Sequence, residues 1–162
     1  MRQILIIPCL CYTALLCEFC LFNLFGRWGE PHLLLLVIIF FELYSGIRYS
    51  LWAALFAGVF KDCFTTMPFG THIFTYFISA YLTTFIRKNY YERGSSLSKL
   101  LLVLVVGTVN HVTLGLLHQM VYDDIRWGDV WGSLWLPEML ATLLVALYFF
   151  ARLRALARVL RF

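Results

Sequence analysis

Residues Trp52 to Gly70 read WAALFAGVFKDCFTTMPFG, and this stretch decides the class of fold. An acid, Asp62, stands beside Lys61 in an otherwise apolar, helix-like run. Ala54, Gly58 and Asp62 repeat at four-residue spacing, with Ala53 and Ala57 next to them. In lipid, helices associate by close backbone approach, which small residues four apart permit. An ionisable side chain at that depth is costly, so it must face other helices or a wet cavity. The stretch is therefore predicted to be an interior helix whose small face packs against a neighbour.

Composition extends this reading to the whole chain. Of 162 residues, 62% are hydrophobic and 14% charged, with a mean hydropathy of +0.81, whereas soluble domains carry about 25% charged residues. The expected class is an all-α polytopic membrane protein forming one integral domain over residues 1–162. Six apolar segments are bounded by turn or charge signals: 4–25, 31–45, 50–67, 71–86, 100–121 and 136–151. Crossing a hydrocarbon core of about 30 Å takes about 20 helical residues. The second, fourth and sixth segments are short for this and need interfacial residues, a thinned bilayer or shelter from neighbours. The first run is longer than the apolar core of a secretory signal and ends in no small-residue cleavage site, so it is read as a retained span. No run alternates polar with apolar residues, which excludes a spanning β-barrel.

Orientation follows from the 13 Lys and Arg residues. Ten would share one side: Arg2, Arg48, Arg87, Lys88, Arg93, Lys99, Arg152, Arg154, Arg158 and Arg161. Only Arg27 and Arg126 would lie opposite, with Lys61 inside the membrane. Basic loops stay cytoplasmic, so both termini are expected in the cytoplasm. Trp127, Trp131 and Trp135, four apart on the expected exterior side and accompanied by Asp123, Asp124 and Asp129, are read as an interfacial aromatic anchor in preference to a partner-binding surface. Pro137 and Glu138 suit the opening turn of the sixth helix. The tail bearing Arg154, Arg158 and Arg161 would lie along the anionic inner leaflet. Basic residues that flank apolar spans, rather than lining a polar surface, exclude nucleic acid as a partner.

Asp62 has two readings, an acid satisfied by a neighbouring helix or a ligand or proton site. The first is preferred, because one acid without a second makes a poor relay. Glu18 lies deep and needs a partner, which Asn110, His111 or His118 would supply; Glu42 is placed near the interface. His111 and His118 are two turns apart, but two histidines do not make a metal site, and interhelical hydrogen bonding is the expectation. Cys17-x-x-Cys20 has the spacing of a redox or zinc motif. Inside an apolar helix with no second pair, these cysteines are read as small buried hydrophobes. No G-x-S-x-G, H-E-x-x-H or phosphate-cradling glycine loop occurs. No enzyme activity, catalytic residue, cofactor or metal is expected.

Gly58-x-x-x-Asp62 followed by Phe69-Gly70 resembles the signature of the bacterial rod shape-determining MreD family. There a Gly-rich third span ends in an Asp, a short loop and a Leu-Gly pair. Pro31-His32-Leu33-Leu34 is similar to the family's Pro-Asp-Leu entry to the second span, with His replacing the acid. Lys61 departs from the pattern. The resemblance singles out Pro31, Gly58, Asp62 and Gly70, and the four-residue spacing of small residues adds Ala54, as structural or partner-interaction residues. It implies a non-enzymatic subunit of the bacterial inner membrane, acting in cell elongation and peptidoglycan synthesis as scaffold or regulator. The implied partners are membrane lipid, an MreC-like protein, the elongation synthases and the MreB filament system. The implied fold is similar to the substrate-binding subunits of energy-coupling factor transporters. That likeness supplies the rival reading, a small-molecule (vitamin-type) binding subunit of a transporter with its pocket near Asp62. An intramembrane redox enzyme using Cys17 and Cys20 is a third.

Overall fold

A computed structural model describes the backbone of residues 2–25, 31–89, 96–122 and 136–159 and the side chains of 6–23, 31–89, 97–121 and 136–148. Trp127, Trp131, Trp135, Asp123, Asp124 and Asp129, and the side chains of Arg154, Arg158 and Arg161, lie outside these ranges. Among the described residues the chain is all-helical, without strands: α1 Arg2–Phe25, α2 Leu33–Tyr44, α3 Ile47–Phe64, α4 Thr71–Asn89, α5 Ser96–Tyr122 and α6 Leu136–Val159. Each apolar segment carries one helix, and the basic tail continues α6 instead of starting a new element.

The centre of the molecule is α2. Leu34 to Ile39 are completely buried, and α2 touches every other helix. Its 12 residues span only about 18 Å at 1.5 Å per residue. Burial resolves that shortness, because backbone enclosed by protein need not match the bilayer. The turn Ser45–Gly46 closes α2, both N–H groups donating to the Phe41 carbonyl, and returns the chain as α3. The Ser50 hydroxyl then bonds the Ile38 carbonyl at 3.2 Å, fixing the two helices in register.

Around this core the buried faces of α3 and α4 are small and polar. The buried residues of α3 are Ser50, Ala53, Ala54, Ala57, Gly58 and Asp62, which is the predicted small face. On α4 they are His72, Thr75, Tyr76, Ser79, Ala80 and Thr83. The hydroxyls of Ser79 and Thr83 turn back onto carbonyls four residues earlier, so they cross the interface without unmet donors. Large apolar side chains such as Tyr12, Leu16, Phe74, Phe85, Leu101 and Leu144 point outward. An apolar exterior, with small and polar helix faces turned inward around the apolar α2, is the arrangement of a membrane protein. Two helical stretches, Ile6–Asn23 and Leu97–Val121, are long and apolar enough to cross a bilayer; Leu33–Tyr44 and Leu136–Tyr148 are shorter apolar helices.

Candidate functional site: the joint between α3 and α4

Gly58, Asp62 and Gly70 meet in one structural joint. The Asp62 side chain is buried and turned toward the first turn of α4. One carboxylate oxygen accepts the Gly70 N–H at 2.8 Å and the Ile73 N–H at 3.4 Å. The other accepts the His72 N–H at 2.9 Å. The opening N–H groups of a helix have no intrahelical acceptor, and a carboxylate there is favoured by the helix dipole. Asp62 therefore caps a helix other than its own.

The two glycines make that cap possible. Gly70 has φ +104°, a conformation that side chains with a Cβ rarely adopt, and it turns its N–H onto the acid. At Gly58, one turn before Asp62, a Cβ would stand 2.5 Å from the Ile73 Cα and 2.8 Å from its nitrogen. No side chain fits there, because the obstacle is the backbone of α4. Ala54 completes the stripe and is fully buried.

Lys61 belongs to a different contact. It forms an ion pair with Glu18 of α1, whose side chain is 2% exposed. Glu18 is thus partnered from α3, not by Asn110, His111 or His118 as expected. Asn110 instead accepts from the Ser79 hydroxyl at 3.3 Å, joining α4 to α5. Glu42 does not reach the interface. It is buried, and Arg87 of α4 bonds both its carbonyl and, at 3.2 Å, its carboxylate.

Pro31 lies away from this joint, buried at the head of α2. The following N–H, of His32, donates to the Thr142 hydroxyl of α6 at 3.1 Å. The expectation of buried cysteines fails for the pair concerned. Cys17 and Cys20 are exposed on α1, and it is Cys11 that is buried. Glu18 takes the inward face between Cys17 and Cys20, and on a helix neighbours of an inward residue turn aside. Sequence reasoning also missed a cluster in which His32, His111 and Glu138 converge.

What this geometry can do chemically is limited. The Asp62 carboxylate is engaged by three backbone donors from the adjoining loop and helix. Such an acid holds two helices at a fixed separation. No curated protein and no solved structure matches the chain, so the implied likeness to energy-coupling factor subunits finds no support. The family model for rod shape-determining protein MreD, however, matches residues 1–159. With that match over essentially its whole length, this membrane protein belongs to the MreD family of rod shape-determining proteins.

Proposed function

We propose that the chain is a non-enzymatic, multi-pass inner-membrane subunit of the elongation complex, acting in rod-shape determination as a scaffold or regulator beside an MreC-like protein. The elongation synthases and the MreB filament system would complete its surroundings. One observation carries the scaffold reading: Gly58, Asp62 and Gly70 are all spent on fixing α4 against α3. A residue set spent on internal geometry supports a rigid partner-bearing surface over a pocket for a vitamin-type ligand. The basic residues on α4, α5 and the tail support cytoplasmic termini.

The test is recovery of the chain from native membranes in mild detergent, with identification of what accompanies it. Elongation proteins are the expected companions. Recovery with a transporter ATPase module instead would overturn the scaffold reading in favour of the transporter one.

A further inference from the structure

We propose that His32, His111 and Glu138 form a binding site for a divalent transition-metal ion, zinc by its donor set. The residues come from three places in the chain: the residue before α2, the middle of α5 and the first turn of α6. His32 Nε2 and His111 Nδ1 each lie 3.6 Å from the same carboxylate oxygen, Glu138 Oε2. One ligand atom from each residue falls within 4.8 Å of the other two. The side chains are only 15–16% exposed.

At 3.6 Å these contacts are too long for hydrogen bonds. They are close to what a shared ion requires. Zinc with bonds of about 2.0–2.2 Å sets tetrahedral ligand–ligand edges of about 3.4 Å. Two edges need to close by a few tenths of an ångström, and side-chain rotation brings in the third. Two imidazole nitrogens and a carboxylate are a zinc donor set that leaves a fourth position for water. The ligand nitrogen of His32, Nε2, is also buried without a hydrogen bond.

The framework holds these side chains in place. The Thr142 hydroxyl accepts the His32 N–H at 3.1 Å and donates to the Glu138 carbonyl at 2.7 Å, tying two of the three residues together through their backbones. Gly107, one turn before His111, lets Met139 pack directly on α5: a Cβ there would meet the Met139 methyl at 2.8 Å. That contact draws the neighbouring Glu138 toward His111. Supporting groups of this kind set ligand orientation in metal sites. This inference is independent of the scaffold reading.

The experiment uses the full chain in detergent, stripped with chelator and titrated with zinc and with cobalt. The expected result is one equivalent of zinc retained through desalting. Cobalt should show the visible bands of a four-coordinate site without a thiolate charge-transfer band. His32→Ala, His111→Ala and Glu138→Gln should each weaken retention by at least about tenfold, the smallest loss that supporting residues alone cause. His118→Ala and the Cys17→Ala/Cys20→Ala double variant should retain the ion. X-ray absorption on the zinc-loaded wild type decides the matter even if a variant misfolds. A nitrogen and oxygen shell with imidazole scattering upholds the site. No stoichiometric binding, a sulfur shell, or full retention by folded Glu138→Gln would each overturn it.

Discussion

Gly58→Ala is the smallest change that tests the joint. The added methyl would sit 2.5 Å from the Ile73 Cα, whereas carbon atoms are comfortable at about 3.5–4.0 Å. The head of α4 must therefore retreat by about 1 Å or more. The same retreat stretches the bonds from Gly70, His72 and Ile73 to Asp62, which stand at 2.8, 2.9 and 3.4 Å. The longest is lost first. Overpacking costs about 1–3 kcal/mol, and a hydrogen bond to a charged group contributes about 1.5–3 kcal/mol, so a combined loss of about 3 kcal/mol is expected. At about 2–4 °C per kcal/mol for a chain of this length, the midpoint should fall on the order of 10 °C. The assay is thermal unfolding of the detergent-purified protein, with membrane abundance and rescue of rod shape in a depletion strain measured alongside. Gly58→Leu should be worse on every readout. A Gly58→Ala protein that melts with the wild type and restores rods would show that α3 and α4 do not approach as described.

Asp62→Asn should lower membrane abundance, because one acceptor oxygen becomes an NH2 facing backbone donors, with a cost of about 1–3 kcal/mol for the unmet groups; a folded, abundant Asp62→Asn protein that fails to rescue shape would instead favour a ligand or proton role. Lys61→Ala strands the buried Glu18 and should destabilise by about 3–5 kcal/mol, while Glu18→Gln with Lys61→Met should recover most of that loss. Thermal melts of the two variants in parallel check it, and equal loss in both would mean that the pair is not coupled. Reporter fusions after Phe162 should report a cytoplasmic C-terminus and those within 122–132 an exterior loop; the reverse pattern would overturn the orientation.

The helices were legible because each apolar run ends at a polar or glycine-bearing turn. The small face of α3 was legible too, since four-residue spacing survives any tertiary arrangement. What the sequence hid was which helix lies at the centre. Leu33 to Phe41 are apolar on every side, and in a membrane such a run reads the same whether lipid or protein surrounds it. Partner identities were hidden for a related reason. Glu18 and Lys61 are 43 residues apart, and their pairing depends on α1 lying against α3, which no local pattern encodes. Asp62 was visible as an interior acid, but its role as a cap for α4 became evident only with the turn through Gly70. In the sequence His32 stands out only where it replaces an acid in the resemblance of the α2 entry, because its companions lie on α5 and α6.

Taken together, the acids suggest how this chain selects one packing among many. Apolar helix faces discriminate poorly in lipid, where no hydrophobic force drives them together. Each buried or half-buried acid among the described residues is met from another helix or from its entry. Glu18 is met by Lys61 and joins α1 to α3; Asp62 caps the head of α4 from α3. Glu42 and Arg87 join α2 to α4, and Glu138 faces His111 of α5 and His32 at the head of α2. These links connect all six helices into one network. Sliding α1, α2, α3 or α4 by one turn, about 5.4 Å, would break at least one link and leave a charge without its partner. The cost of a buried charge without its partner is what penalises the wrong registers. An acid in this chain thus acts mainly against alternative packings, so neutralising both members of one pair should cost less stability than specificity. For the Glu18→Gln and Lys61→Met pair this means a melting midpoint near wild type with a broader transition. A transition as sharp as wild type would place the specificity in the small-residue faces alone.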